Sequence, residues 1–210
     1  MYNFKVAPYW WPILGVSAPF LIPFLIKKNR GYNSNKEKAE NENRKRIKSV
    51  SKIKLPEVDY LEITPLVEWK TKKGFMKDAG VSYLIKTERG QVLFDVGHGP
   101  ENKTLEYNAN KLDLNINQID ALVISHLHKD HMGGMKAMRD KNVKVPNKIK
   151  PNDNIDCFLP DEAKAENFNF KIVNKPRYLK AGVATTGPLA RSLFFLGYTE
   201  EQSLIINVKD

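Results

Sequence analysis

The sequence has only one cysteine, Cys157, so it cannot form a disulfide within the chain, and nothing in it requires an oxidising compartment. Histidine is also scarce, with four residues in a chain of 210. Residues 6–26 contain no charged side chain, and a run of that length can cross a bilayer core as a helix. Because no second cysteine lies nearby, we interpret Cys157 as a small buried apolar residue and not as a metal ligand.

Acidic residues are outnumbered by basic ones, and the formal net charge is +10. Most of the excess lies in residues 27–54, which contain eleven basic and three acidic residues. The rest of the chain is nearly neutral, so we expect no nucleic-acid partner. A basic segment beside an apolar one is attracted to anionic lipid, although a solvated linker would have the same composition. We therefore expect residues 6–54 to contact membrane lipid.

The apolar N-terminal run predicts a membrane anchor. Prolines interrupt it, so we expect a helix only from Pro12 onward, with kinks at Pro19 and Pro23. Tyr9, Trp10 and Trp11 lie at the N-terminal end of the run, as expected for aromatic residues at a membrane interface. Lys27 and Lys28 follow its other end, which by the positive-inside tendency predicts that the following chain lies in the cytoplasm. A cleaved signal peptide and a segment lying in the membrane interface are the alternative interpretations.

Composition divides the chain into three predicted regions. These are a membrane anchor over residues 1–26, a basic linker over 27–54 with a helical stretch from Lys36 to Ile47, and a folded domain over 55–210. In the third region, alternation and short apolar runs predict strands over residues 58–68, 80–87, 91–96, 121–125, 156–159, 170–173 and 203–208. Helices are predicted over 103–112 and after Gly134.

Three of the four histidines lie within six residues, His-Leu-His-Lys-Asp-His, directly after an uncharged run that predicts a buried strand. His126 and His128 are two residues apart on an extended backbone, so their side chains point the same way and can bind one ion. Asp130 and His131 follow after the chain turns, so they can reach a second ion. Gly133, next to a second glycine, allows a sharp bend and close backbone approach.

Imidazole and carboxylate ligands without cysteine are typical of an open, catalytic metal site. Structural zinc sites usually recruit cysteine and close with four ligands. A histidine-rich surface loop that binds no metal is the remaining interpretation.

The segment Ser-His-Leu-His-Lys-Asp-His-Met-Gly-Gly resembles the H-x-H-x-D-H signature of the metallo-β-lactamase-fold hydrolases. Leu93-Phe94-Asp95-Val96-Gly97 is similar to that superfamily's earlier strand-Asp-x-Gly element. The resemblance covers about residues 58–210. It implies an α/β (α+β) fold, the αββα sandwich, of which this chain would contain mainly the N-terminal half after its hydrophobic segment.

The resemblance also implies a ligand set. His126 and His128 would bind a first Zn²⁺, and Asp130 and His131 a second, with iron or manganese as other candidates. Water activated by the metal would attack an ester, phosphoester or similar bond of a small-molecule substrate, with Asp130 as a catalytic residue that positions the second metal and the nucleophile. Asp95 would be a buried residue that orients the metal loop, or simply part of a strand-end turn.

Residues 186–191 and 200–206 are similar to the branch that includes dihydropterin-ribofuranosyl-aminobenzene-phosphate synthases. That likeness suggests that Arg191 binds a substrate phosphate, although an ordinary surface arginine fits as well. His98, which follows the Asp95 element, could touch substrate or be a loop histidine without a special role.

Members of the family take a third ligand for each metal, and a bridging aspartate, from the second half of the fold. No histidine follows His131, so we expect a C-terminally truncated chain in which Asp161 or Asp210 could supply a bridge. One alternative is therefore an inert, membrane-tethered, metal-binding fragment. Another is an iron-dependent oxidoreductase on the same fold, although the diiron branch has glutamate where His128 stands.

Overall fold

The computed structural model describes residues 7–50, 52–146, 149, 155–166 and 168–209. Val6, at the start of the apolar run, and Asp210, a candidate bridging ligand, lie outside these ranges. The described helices are α1 (Trp11–Lys48), α2 (Thr104–Lys111), α3 (Lys129–Met132) and α4 (Met135–Asp140), with 3-10 turns at Pro8–Trp10, Gly99–Glu101 and Ile116–Gln118. The described strands are β1 (Glu57–Val58), β2 (Glu62–Val67), β3 (Ser82–Thr87), β4 (Gly90–Phe94), β5 (Ala121–Val123), β6 (Asp156–Leu159), β7 (Asn169–Ile172), β8 (Arg177–Tyr178), β9 (Val183–Thr185), β10 (Leu189–Leu193), β11 (Gly197–Glu201) and β12 (Leu204–Val208).

The larger sheet has six strands in the order β2-β3-β4-β5-β6-β7. Strands β2, β3 and β4 are antiparallel neighbours, and β4 to β7 are parallel. A tight turn joins β3 to β4 and pairs Thr87 with Gly90, which confirms the predicted hairpin. Strand β5 lies inside the parallel half, so the loop that follows it is held by strands on both sides.

A smaller sheet, in the order β1-β12-β9-β8, packs on one face of the larger sheet. Val92 and Val123 project between the two sheets, where they join Val183 in one apolar cluster. Their neighbours Leu93 and Leu122 project to the opposite face and pack in a second cluster with residues of α2 and α4. Both faces of β5, and of Val92 and Leu93 in β4, are therefore buried, which explains why these residues are all apolar. Strands β10 and β11 pair with each other in a separate, two-stranded antiparallel sheet. This mixed α/β arrangement of helices and sheets agrees with the predicted fold class.

The segment predicted as one strand over 58–68 is divided between the two sheets. Val58 pairs with Val208 in the smaller sheet, whereas Glu62–Val67 pairs with β3 in the larger one. The local alternation pattern does not change at the crossing. Only the distant pairing partner decides where each half lies, so the sequence could not indicate the division.

Helix α1 is longer than either helical stretch predicted for this part of the chain. It continues without interruption from Trp11 to Lys48 and includes Pro19 and Pro23. The basic segment up to Lys48 is therefore helical well beyond the expected stretch from Lys36 to Ile47. Its C-terminal part packs on the β10–β11 hairpin, where Ala39 is buried. Its N-terminal part, which contains residues 11–26 of the apolar run, is not buried by the rest of the described chain.

Candidate metal centre

The candidate site lies at the C-terminal end of β5, in a loop that begins at Ser125 and leads into α3. The imidazole rings of His126 and His128 have centroids 4.6 Å apart, and those of His126 and His131 have centroids 4.0 Å apart. The Asp130 carboxylate lies 3.5 Å from Nε2 of His131. The predicted ligand residues are thus neighbours at the rigid end of a buried strand.

Hydrogen bonds to the Asp95 side chain hold this loop in place. The Asp95 carboxylate is fully buried and accepts hydrogen bonds from the Ser125 amide at 2.6 Å, the Ser125 hydroxyl at 2.7 Å and Nδ1 of His131 at 2.8 Å. Asp95 itself has a φ of 61°, in the left-handed region. Aspartate tolerates that region better than most residues, and the bend follows directly after β4.

The hydrogen bonds set which ring nitrogen is free. Ser125 donates its single hydroxyl hydrogen to Asp95, so its oxygen can accept from Nδ1 of His126, which is 3.0 Å away. Nδ1 of His131 donates to Asp95. In both rings this leaves the Nε2 lone pair available to a ligand, the arrangement that carboxylates commonly impose on metal-binding histidines.

Burial controls the charge of the cluster. Burial, together with the neighbouring His131 and His128 rings, lowers the pKa of His126 to about 3. Burial also lowers the pKa of His128, although Asp130 opposes the change. Burial disfavours the charged form of His131 too, but its hydrogen bond to Asp95 and the charge of that carboxylate outweigh this effect and raise its pKa. His126 and His128 are therefore neutral near pH 7, as metal ligands must be.

Two glycines allow the loop to pack closely. Gly133 has a φ of 109° and Gly134 a φ of 101°, both in the region that other residues avoid. A Cβ atom on Gly133 would collide with the carbonyl oxygen of Lys144. Glu101, to which the sequence analysis gave no role, accepts hydrogen bonds from the first amides of α4 beside Gly134. Only glycines permit this packing, as their adjacent occurrence predicted.

The donor set fits a divalent metal, because neutral imidazoles and a carboxylate are the ligands that zinc and similar ions accept. Within the part of the chain that the structure describes, however, no group of three or more His, Cys, Asp or Glu side chains is arranged to hold an ion. The donors are adjacent, but a closed ligand set is not present among the described residues.

Gln202, for which the sequence analysis predicted no role, links the loop to the distant β11–β12 junction. Its backbone amide donates a hydrogen bond to the Ser125 carbonyl at 2.8 Å. Its side chain is 2% exposed and donates to the carbonyls of Ile124 at 2.8 Å and Phe158 at 3.1 Å, while it accepts from Thr185 at 2.8 Å. Gln202 lies in the segment Glu-Glu-Gln-Ser, so the sequence alone identifies it only as a polar residue beside a predicted strand.

Residues 76–171 match the model of the metallo-beta-lactamase superfamily. This segment is metallo-β-lactamase-like. It contains both predicted motifs, from Asp95 to the histidine loop, and the match confirms the resemblance inferred from the sequence.

A similar curated protein is the 7,8-dihydropterin-6-methyl-4-(beta-D-ribofuranosyl)-aminobenzene-5'-phosphate synthase of Methanocaldococcus jannaschii, which is 30% identical over 107 residues, 48% of this chain and 36% of that protein. Among solved structures, a metal-dependent hydrolase of the beta-lactamase superfamily has a TM-score of 0.47 and 20% identity, over 70% of this chain and 61% of its own. A quorum-quenching N-acyl homoserine lactone lactonase has a TM-score of 0.46 and 17% identity, over 74% and 71%. The chain therefore spans about a third of the curated relative.

The remaining predicted site residues lie beside the metallo-β-lactamase motif loop. Nδ1 of His98 is 3.0 Å from the Asp78 carboxylate. A Cβ atom on Gly80 would lie 2.9 Å from the Asp130 carbonyl oxygen and 3.3 Å from His98 Nδ1, so His98 stands close to the loop backbone. Arg191, on β10, has a side chain 61% exposed and 3.4 Å from Glu201. The charge of Arg191 also lowers the pKa of His126 slightly.

Proposed function

We propose that this chain is a metal-dependent hydrolase with a dinuclear zinc site, in which activated water attacks an ester, phosphoester or similar bond of a small molecule. The observation that carries the proposal is the gathering of three imidazoles and Asp130 at the end of β5, with Asp95 fixing His131. The family match over residues 76–171 supports hydrolytic chemistry of this class.

Each residue of the site has a proposed role. His126 and His128 would hold one ion, and Asp130 and His131 the other. When bound, such ions lower the pKa of a water molecule toward about 7 and polarise the substrate oxygen. Asp95 keeps the proton of His131 on Nδ1, so that Nε2 stays free, and Asp130 would orient the attacking water.

Two groups beside the loop are proposed to bind substrate. Arg191 presents a mostly exposed guanidinium, a planar fork that suits a phosphate or carboxylate, and its partner Glu201 is loosely held at 3.4 Å. His98 lies close to the Asp130 backbone. Together the two side chains would bind an anionic or polar small molecule.

We further propose that α1 anchors the protein in a membrane, with the folded part on the cytoplasmic side. The segment Pro8–Lys48 is long and apolar enough to span a bilayer by length and composition, with a mean hydropathy of 1.5 in its apolar window. Lys27 and Lys28 follow that run, as the positive-inside tendency requires. The proposed organisation remains an anchor over residues 1–26, a basic connection over 27–54 and a folded domain from 55, with α1 making the connection stiff.

The competing function is an inert, membrane-tethered, metal-binding fragment. It is favoured by the lack of a closed ligand group among the described side chains. The iron-dependent oxidoreductase has weaker support, because His128 is not a glutamate.

Metal analysis of the purified full chain distinguishes these functions. We expect two tightly held zinc ions, and hydrolysis of a phosphodiester or ester, from an active enzyme. His126→Ala should lose metal, whereas His98→Ala, which alters the one histidine outside the cluster, should keep it. No more than one weakly held ion, without hydrolysis, would support the inert fragment. Iron with visible absorbance would support the oxidoreductase.

A further inference from the structure

The turn between β10 and β11 exposes adjacent large apolar side chains. Residues 194–196 read Phe-Phe-Leu, with Phe195 69% and Leu196 65% exposed. Single exposed apolar residues are ordinary, but a contiguous group at the tip of a hairpin marks a surface that meets an apolar partner. We call residues 193–197 the hairpin tip.

The hairpin tip lies against α1 at the point where the apolar run gives way to basic residues. The rings of Tyr32 and Phe194 have centroids 5.8 Å apart. An open cavity of about 440 Å³ is lined jointly by the tip and by α1 residues that include Phe24, Lys27 and Lys28. The tip therefore lies beside the last turns of the segment proposed to enter the membrane.

The position of the tip relative to α1 is fixed by polar contacts further along the hairpin. The Asn43 side chain donates to the Ala190 carbonyl at 2.8 Å and accepts from the Ala190 amide at 2.7 Å, as a neighbouring strand would. Arg46 pairs with Glu200 at 2.7 Å, and the Ser192 hydroxyl donates to the Tyr32 carbonyl at 3.2 Å. Helix and hairpin form one unit, so the tip stays at a fixed height along the helix.

Charge indicates which apolar partner the tip meets. Lys27 and Lys28 lie beside the tip where α1 would leave the bilayer, and Arg30 follows them in the sequence. These basic residues are attracted to anionic lipid headgroups. They would repel the same basic residues of a second copy of the chain. Aromatic side chains next to basic ones are also the usual composition of segments that settle at the headgroup and acyl boundary.

We propose that the hairpin tip inserts into the interface of the same bilayer that α1 enters, as a second membrane contact. This inference rests on the membrane anchoring proposed above. With two contacts the folded part cannot swivel about α1. Because Gln202 joins the end of the hairpin to Ser125, the histidine loop is held at a fixed height and orientation above the lipid surface.

The test uses single labels on the full chain, reconstituted in vesicles of phosphatidylcholine and phosphatidylglycerol. Cys157 is buried, so an environment-sensitive thiol probe reacts only with introduced cysteines. Leu196→Cys reports the tip, Val16→Cys the apolar run and Ile63→Cys an exposed residue of β2. We expect quenching by nitroxide-labelled lipid at positions 196 and 16 to be several-fold greater than at 63, and quenching by aqueous iodide to follow the reverse order.

The outcomes separate the two proposals. If position 16 is quenched by lipid but 196 behaves like 63, the tip proposal is overturned and the anchor stands. If neither 16 nor 196 is quenched by lipid, the anchor itself is refuted. If position 196 is shielded from iodide only at a high protein-to-lipid ratio, a second copy covers the tip and the lipid proposal is wrong.

Discussion

Replacing Gln202 with alanine tests whether the β11–β12 junction holds the metal loop in place. The substitution removes three buried hydrogen bonds, to the carbonyls of Ile124 and Phe158 and from the hydroxyl of Thr185. At about 1 kcal/mol for each buried hydrogen bond, we expect the free energy of unfolding to fall by about 3 kcal/mol. That is a large part of the 5–15 kcal/mol that usually stabilises a domain.

Urea denaturation in mild detergent measures this change, with the midpoint and slope compared at constant ionic strength. Gln118→Ala is the matched control because Gln118 is exposed, and it should alter the unfolding free energy by no more than about 0.5 kcal/mol. A loss below about 1 kcal/mol for Gln202→Ala would show that these side-chain contacts do not stabilise the loop, because the substitution leaves only the backbone hydrogen bond from Gln202 to Ser125 in place.

Three further predictions concern ionisable groups. Asp95→Asn should weaken zinc binding about 10- to 100-fold in a chelator competition, because His131 loses its acceptor, whereas Asp140→Asn at an exposed position should leave it unchanged. Burial raises the pKa of the Cys157 thiol, so a thiol reagent should modify it only on unfolding; rapid modification of the native protein would contradict its burial. Burial opposes ionisation of Asp156, but Lys171 at 2.7 Å outweighs it and lowers the pKa of Asp156. Its stabilising contribution is therefore complete above about pH 4 and disappears as the pH falls below, and Asp156→Asn should flatten the acid limb of stability against pH, which denaturation at a series of pH values measures.

Local signals predicted most of the site and much of the fold. The histidine loop, the strand before it and the β3–β4 hairpin all follow from residues that are neighbours in sequence. Strand β6 was predicted near Asp156–Leu159, the bounds that the structure has, because Cys157, Phe158 and Leu159 form a short apolar run. The predicted roles of His98 and Arg191 remain predictions, although both residues stand beside the loop.

Long-range contacts explain what the sequence did not predict. The β10–β11 hairpin was not predicted as a pair of strands, and the sequence suggested only that Arg191 binds a substrate phosphate. Residues 27–54 were interpreted as a basic linker with a helical stretch only from Lys36 to Ile47, because they are rich in lysine, asparagine and glutamate and have few apolar residues. In the structure each stabilises the other, through Asn43 against Ala190 and Lys38 lying 4.5 Å from the centroid of the Tyr198 ring. The composition of the basic helical segment gives no information about the hairpin, and the composition of the hairpin gives none about the helix.

The dependence on long-range contacts also explains how the chain can contain the complete histidine motif although its described side chains form no closed set of metal ligands. The histidine loop supplies its donors locally, because strand β5 and Asp95 fix four side chains that are close in sequence. A site that holds ions also needs side chains from elsewhere in the fold, and these depend on distant segments reaching the loop. Gln202 does reach it, and the Glu201 carboxylate is near enough to affect the pKa of both His128 and His131. The histidine motif therefore determines which metal ligands the loop can offer. Whether ions are bound and hydrolysis occurs depends on the side chains that distant segments bring to the loop.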